Sequence, residues 1–164
     1  MALVLKPPAS LTWPDGARTL FLAGSIEMGE APPWQDDVER AFAGASSLVL
    51  LNPRRDDWDA SWPQSADDPR FKGQVDWELE AQERADLIVM YFAPTTRAPI
   101  TLLELGLAAR SGRLVVCCPE GFWRRGNVQV VCDRYRVPMV DDLTALIDAA
   151  RQRLQPASGA HGQP

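Results

Sequence analysis

The sequence predicts an α/β fold: a flavodoxin-like, doubly wound sheet of five parallel strands in a single domain. Three observations lead to this prediction. Segments with strand and helix patterns alternate along the chain, which is typical of a parallel sheet with helices on both faces. The strand segments are apolar throughout rather than alternating with polar residues, as strands buried on both faces are. The length of 164 residues suits one domain.

Five short apolar segments are predicted to be the strands, because none has a helical period and each ends at a turn or at polar residues. They cover residues 19–23, 47–51, 86–92, 114–118 and 137–140. Four segments with helical spacing or helix-end signals are predicted to be helices. They cover residues 33–45, 74–84, 101–111 and 141–154.

Three segments fall outside this pattern. Residues 1–18 are rich in Pro and are predicted to form an irregular N-terminal arm, and residues 155–164 a flexible tail. Residues 19–154 then form the α/β domain. Within it, residues 52–70 contain five Asp and are predicted to be a long loop, of the kind that serves as a lid or a linker.

Charge and hydropathy exclude several classes of protein. Seventeen Lys and Arg against 22 Asp and Glu give a net charge of −5, which argues against binding to nucleic acid polymers or anionic membranes. Apolar runs such as residues 87–93 are far shorter than the roughly 20 residues of a membrane span. The first 12 residues are too short and too broken by Pro for a secretory signal, so we expect a cytoplasmic protein.

Cysteine and histidine limit the chemistry. The three cysteines include no CxxC pair, which disfavours a disulfide framework and a zinc site. The single histidine, His161, lies in the tail, so Ser-His-Asp and Cys-His catalysis and most metal chemistry are removed from the folded part. An enzyme with this sequence would rely on carboxylates, hydroxyls and arginines.

Polar groups follow three of the predicted strands. Gly24 and Ser25 follow the first strand, and residues 93–96 follow the third and lead into the helix that carries Glu104. Residues 119–121 follow the fourth strand. In a parallel sheet these carboxyl ends meet at one edge, where doubly wound folds bind ligands. The sequence has no GxGxxG or Walker A pattern, so a dinucleotide or triphosphate cradle has no support.

Glu104 is the only acid between Asp86 and Glu120, and leucines surround it. Its spacing from Thr101 fits a capping box, in which the Glu side chain only stabilises the start of the helix. The alternative is a carboxylate in the first helical turn that faces the predicted site. There the helix N-terminus favours the ionised form, which a nucleophile needs.

Glu78 lies on the predicted helix 74–84, with Gln74 and Gln82 four residues to either side on the same face. Beside a carboxylate nucleophile it would suit the general acid of a two-carboxylate glycosyl transfer. A solvated helix face is the alternative, since Glu80 and Glu83 are close in sequence.

Two further segments combine arginines with aromatic residues. Residues 52–58 (Asn-Pro-Arg-Arg-Asp-Asp-Trp) fit either a ligand clamp, made by stacking and bidentate hydrogen bonds, or a solvated turn. Residues 122–127 (Phe-Trp-Arg-Arg-Gly-Asn) suggest a loop that covers a site or contacts another subunit, or else a solvated turn.

Several segments together resemble the nucleoside 2-deoxyribosyltransferase-like family, over roughly residues 19–140. The segments that carry the resemblance are 21–26 (Phe-Leu-Ala-Gly-Ser-Ile), 52–58, 74–78 (Gln-Val-Asp-Trp-Glu), 85–86 (Ala-Asp), 99–106 (Pro-Ile-Thr-Leu-Leu-Glu-Leu-Gly) and 118–127. Each segment is short, and their order and spacing together make the match specific to the family.

The resemblance implies a flavodoxin-like fold and cleavage of the N-glycosidic bond of a nucleoside by double displacement, without a cofactor. It implies Glu104 as the nucleophile and Glu78 as the carboxylate that protonates the base. It also implies a homo-oligomer in which Asn127 stands near a neighbouring subunit's site. The residues expected at the substrate are Phe21, Gly24, Ser25, Asn52, Arg54, Arg55, Trp58, Trp77 and Asn127.

Three positions depart from the family pattern and keep other functions open. Phe21 stands where well-known members have a tyrosine that contacts the nucleophile, and Ala98 where they have an acid or a serine. Glu27 stands where members that cleave 5′-monophosphates have an arginine; a carboxylate repels phosphate, which favours a nucleoside. Arg54 and Arg55 would reverse this preference if they held a phosphate. The alternatives are a non-catalytic nucleoside- or nucleotide-binding module, and a glycohydrolase acting on a nucleotide or NAD.

Overall fold

The structure is a computed structural model and describes residues 1–26, 31–57, 59 and 61–155. Within these residues the chain forms six strands and five helices. The strands are β1 (Leu3–Leu5), β2 (Arg18–Gly24), β3 (Leu48–Leu51), β4 (Leu87–Tyr91), β5 (Leu114–Cys117) and β6 (Met139–Val140). The helices are α1 (Trp34–Phe42), α2 (Pro69–Arg84), α3 (Pro99–Ala108), α4 (Arg125–Tyr135) and α5 (Leu143–Leu154).

All six strands pair in parallel in one sheet, in the order β1-β3-β2-β4-β5-β6. Counted from β2, the five predicted strands follow the order 2-1-3-4-5 of a flavodoxin-like sheet, and β1 makes the complete order differ from it. The predicted number of strands is therefore wrong by one. The direction of winding reverses between β2 and β4, which is where doubly wound folds have their ligand crevice.

The sixth strand, β1, lies in the segment that was expected to be an irregular arm. It has three residues, and Leu3 and Val4 remain 41% and 36% exposed, so it lacks the length and burial that mark a strand in sequence. It is a strand because it pairs with the free edge of β3, with Leu3 opposite Val49. Pairing with a segment 46 residues away leaves no sign in the local sequence pattern.

Helix α2 begins at Pro69, five residues before the predicted start at residue 74. Asp68 caps it, because its carboxylate accepts hydrogen bonds from the backbone N–H groups of Arg70 and Phe71. The loop predicted for residues 52–70 is correspondingly shorter. Among the described residues, no helix is both long and apolar enough to cross a membrane.

Two other helices also differ from the prediction. Helix α3 is displaced toward the N-terminus, since it starts at Pro99 rather than at residue 101 and ends at Ala108 rather than at residue 111. Helix α4 begins at Arg125 and so includes residues 125–127, the second half of the loop expected at residues 122–127. Only Val128 and Cys132 are buried on it, and so narrow an apolar stripe is too weak to reveal a helix by its periodicity.

Helices cover both faces of the sheet. Along β2, Phe21 and Ala23 pack into the cluster that includes residues of α2, α3 and α4, whereas Leu20 and Leu22 pack into the cluster formed with α1 and α5. Each of these four side chains is at most 1% exposed. This confirms the interpretation of the apolar run as a strand buried on both faces.

Gly24, at the end of β2, allows an unusually close approach to its neighbours. Its φ is +147°, and a Cβ atom there would lie 2.4 Å from the carbonyl oxygen of Tyr91 and 2.8 Å from Cζ2 of Trp34. The Trp34 indole also donates a hydrogen bond to the carbonyl oxygen of Ser25 at 3.1 Å. A side chain at position 24 would therefore push apart β4, α1 and the loop that follows β2.

We expect Gly24→Ala to destabilise the fold by about 3 kcal/mol, because the added methyl group overlaps backbone atoms that cannot move independently. Gly73→Ala is the control: no atom lies within 4 Å of its added Cβ, and alanine favours helix α2 by up to ~1 kcal/mol. Urea unfolding of both variants tests this. Equal stability of the two variants would contradict the packing described here.

Candidate active site

Two hydroxyl groups connect the loops that follow β2 and β4. The Ser25 and Thr96 hydroxyls lie 2.7 Å apart, and the Ser25 hydroxyl accepts a hydrogen bond from the backbone N–H of Ala93 at 3.0 Å. Thr96 donates to the carbonyl oxygen of Ala93 at 2.9 Å, so Ser25 is the donor to Thr96. Ser25 is 1% exposed. Its hydroxyl therefore holds the two loops together at the carboxyl ends of β2 and β4.

Glu104 is buried on α3, with 8% of its surface exposed. The N-terminal cap of α3 is Ala98, with no side-chain hydrogen bond, so Thr101 lies within the first turn and Glu104 in the second. The capping-box interpretation is therefore wrong. The Glu104 carboxylate instead reaches α2, where the Gln82 amide donates a hydrogen bond to its Oε1 at 2.6 Å.

Glu78 lies on the same face of α2 as Gln82 and is partly buried. Four residues before it, the Gln74 amide donates hydrogen bonds to Glu78 Oε1 at 2.5 Å and to the carbonyl oxygen of Pro53 at 3.0 Å. The solvated-face interpretation is therefore wrong for Glu78, although Glu80 is exposed. Of the two glutamines on this face, Gln74 binds the carboxylate of Glu78 and Gln82 binds that of Glu104.

Burial makes both carboxylates weak acids. It raises the pKa of Glu78 from 4.5 to about 7, against the opposing effect of the hydrogen bond from Gln74. It raises the pKa of Glu104 to about 8, with a further upward contribution from the negative charge of Glu78. The expected effect of the helix N-terminus does not prevail, because Glu104 lies beyond the first turn. Between about pH 7 and pH 8 the pair therefore carries one proton, which the higher pKa of Glu104 favours on that residue.

Three of the residues expected at the substrate are buried in structural contacts. Phe21 is 0% exposed in the core beneath α2 and α3. Trp77 is 8% exposed, and its indole N–H donates to the carbonyl oxygen of Ala9 at 2.8 Å. Asn52 is 0% exposed and donates to Glu39 Oε1 at 2.6 Å. Their side chains make the frame of the site in the conformation described.

The two arginines of segment 52–58 already have partners. The Arg54 guanidinium donates to the carbonyl oxygen of Ala31 from both terminal nitrogens, each at 3.2 Å. Arg55 forms a bidentate pair with Asp57, with both N–O distances 2.8 Å, and lies 5.0 Å from the centre of the Trp62 ring. The segment is thus a turn organised by its own contacts. Two other positions considered in the sequence, Trp58 and Glu27, lie outside the described residues.

Asn127 is exposed in the first turn of α4 rather than on a loop, and its side chain forms no hydrogen bond with another described residue. It is not brought together with Glu78 and Glu104 by any contact within the described part of this chain. This leaves the amide available to another molecule.

Three buried side-chain amides, those of Gln35, Gln74 and Gln82, were given no role in the sequence analysis. Gln35 is 0% exposed, and neither of its polar atoms has a partner; Gln74 Oε1 is the remaining buried side-chain atom of the described part that lacks one. The i,i+4 spacing of Gln74 and Gln82 around Glu78 was visible in sequence, but no signal indicated Gln35. In the described ranges, no three His, Cys, Asp or Glu side chains are grouped to hold a metal ion.

Comparisons with known proteins show the family and the fold of this chain. A family model described as nucleoside 2-deoxyribosyltransferase like matches residues 17–122, which include Glu78 and Glu104. A solved structure described as a conserved protein from Enterococcus faecalis V583 is 15% identical and superposes with a TM-score of 0.59. The alignment covers 84% of this chain and 99% of that one, and it shows a shared fold. No curated protein matches the chain.

Replacing Glu104 by Gln is expected to stabilise the fold at alkaline pH. The folded state holds a proton up to about pH 8 that a carboxyl with the ordinary pKa of 4.5 releases, so stability falls as pH rises between these values. The variant has no carboxyl to ionise. Its melting temperature should match that of the unaltered chain at pH 4 and exceed it by ~10 °C at pH 9.

Calorimetry across this pH range measures the effect. Glu83→Gln, an exposed change on α2, is the control and should show no pH-dependent gain. An equal gain from both variants would contradict the burial of the Glu104 charge.

Proposed function

The chain belongs to the nucleoside 2-deoxyribosyltransferase-like family, and from this we propose that it cleaves the N-glycosidic bond of nucleosides and transfers the sugar to a second base or to water. The observation that carries the proposal is the pair formed by Glu78 and Glu104. Two carboxylates that share a proton at neutral pH can supply a nucleophile and a general acid at once.

In the first step, an oxygen of ionised Glu104 attacks C1′ of the sugar and forms an ester. The C1′–N bond breaks, its electron pair stays on the base, and protonated Glu78 donates its proton to that base. In the second step, a nitrogen of another base or a water oxygen attacks C1′. The ester bond breaks, Glu104 regains its charge, and Glu78 takes the proton of the incoming group. Two inversions at C1′ give net retention.

The reaction requires the single-proton state in which Glu104 is ionised and Glu78 is protonated. Because the pKa of Glu104 lies above that of Glu78, this is the less populated of the two single-proton states. Full protonation removes the nucleophile and full ionisation removes the acid. We therefore propose a bell-shaped dependence of kcat on pH, with its maximum between about 7 and 8.

We propose an uncharged nucleoside as the substrate rather than a nucleotide. A phosphate would need a cation to bind it. The two arginines of segment 52–58 already form other contacts, Arg54 with the carbonyl oxygen of Ala31 and Arg55 with the carboxylate of Asp57. The other residues expected at the substrate are proposed to shape the site. Gly24 and Ser25 fix the crevice, and Phe21, Asn52 and Trp77 support the elements around it.

We propose that the active form is a homo-oligomer. Helix α3 exposes Ile100, Leu103 and Leu107 by 61%, 62% and 60%, at helical spacing on one face, and Val130 of α4 is 68% exposed. An apolar surface of this kind marks a protein contact. We assign it to a second copy because exposed Asn127 lies on the adjacent helix α4, on the same side of the sheet, where a bound neighbour would receive it.

The activity is tested by incubating the protein with each nucleoside and a different free base, followed by chromatography. Glu104→Gln should lower the rate of base loss by about 10³-fold or more, and Glu78→Gln by about 10²-fold or more. Glu83→Gln is the control and should retain full activity.

The products discriminate between the possibilities. Exchange of bases identifies a transferase, and release without exchange identifies a hydrolase. Undiminished base loss in Glu104→Gln would refute the proposed nucleophile. A thermal shift on nucleoside binding without turnover would identify a binding module instead.

The assembly is tested by light scattering after size-exclusion chromatography. We expect Leu103→Glu to reduce the oligomer to monomers, because it places a charge in the proposed contact. Gln152→Glu is the control. It also introduces a negative charge, at an exposed position of α5 on the opposite side of the sheet, and should leave the mass of the assembly unchanged. A monomeric unaltered chain would rule out the proposed assembly.

A further inference from the structure

We propose that Gln82 is the positioning residue for the nucleophile: its amide holds Oε1 of Glu104, and Oε2 forms the ester bond to C1′ of the sugar. The inference deepens the proposed function and rests on it. No feature of the family resemblance pointed to Gln82, which sequence analysis placed only on the same helix face as Glu78.

The contact itself is well defined. Gln82 is 6% exposed and Glu104 is 8% exposed, and the amide nitrogen lies 2.6 Å from Oε1. Among the described residues, Gln82 is the only hydrogen-bond donor to this carboxylate.

The other carboxylate oxygen remains available. Oε2 of Glu104 accepts no hydrogen bond from the described residues. Three side-chain polar atoms of the described residues are fully buried and lack a hydrogen-bond partner, and all three belong to Gln35 and Gln74. Since Oε2 of Glu104 lacks a partner but is not one of these atoms, it is not fully buried. Oε2 therefore has some contact with solvent, and it is the oxygen from which attack on a sugar carbon would start. The hydrogen bond to Oε1 fixes the rotation of the carboxylate and so the direction of the attacking oxygen.

The donor also favours the ionised state that attack requires. Desolvation and the negative charge of Glu78 both oppose ionisation of Glu104, and Glu78 is the only charged group of the described residues that bears on it. The hydrogen bond from Gln82 is the one contribution in the opposite direction. A neutral amide gives this support without the tight ion pair that a lysine or arginine would form and that would weaken the nucleophile.

The test compares Gln82→Met, which keeps the length of the side chain but removes the donor, with Gln82→Lys, which keeps an N–H donor of similar reach. For Gln82→Met we expect kcat to fall about 10- to 100-fold with KM changed by less than about 3-fold. The acid limb of the kcat–pH profile should move to higher pH. For Gln82→Lys the acid limb should move to lower pH, because a cation stabilises the ionised carboxylate.

A second measurement does not depend on turnover. Carbon-13 NMR of the Glu104 carboxyl in the Glu78→Gln background follows its titration without the coupled neighbour, with and without Gln82→Met. We expect the midpoint to rise when the donor is removed. Gln152→Met, on the exposed surface of α5, should move neither the midpoint nor the rate.

The outcomes separate this inference from the proposed function. If the unaltered chain is active and Gln82→Met has the same kcat and the same acid limb of the pH profile, only the role of Gln82 is overturned. An unchanged titration midpoint in the folded variant would do the same. Absence of base release and exchange by the unaltered chain would overturn the proposed function, and the positioning role with it.

Discussion

The burial of two carboxylates between α2 and α3 is the constraint on which the rest of the site depends. A carboxylate in the protein interior is costly to ionise, and a second one nearby makes it more costly. The fold accepts this cost and limits it with one amide hydrogen bond to each group, from Gln74 and Gln82. The result is a pair of acids whose protonation changes near neutral pH, which is useful for chemistry and unfavourable for stability.

The parallel sheet provides the rigid frame for this pair. The strand order reverses between β2 and β4, and the Ser25–Thr96 hydrogen bond joins the two loops that follow these strands. Gly24 lets β2 end directly against Tyr91 and Trp34, whose rings lie 5.4 Å apart. Several residues that resemble ligand contacts in sequence are therefore parts of this frame, because a crevice of fixed shape needs buried polar groups with satisfied hydrogen bonds.

Sequence patterns were sufficient for the features that depend on local order. The apolar runs identified strands β2 to β6, and the i,i+4 spacing around Glu78 identified the helix face that carries it. Features that depend on distant partners were missed or misjudged. Strand β1 exists through its pairing with β3, and the capping box failed because Pro99 starts α3 two residues early. The bond from Gln82 to Glu104 joins two helices, and spacing along one helix cannot reveal it.

The bond between Trp77 and the carbonyl oxygen of Ala9 links the beginning of the chain to α2, one residue before Glu78. The first residues of the chain thus help to hold the helix that carries Glu78, the proposed general acid. Trimming this segment to obtain better crystals, or attaching an affinity tag directly ahead of it, is therefore expected to disturb the position of Glu78.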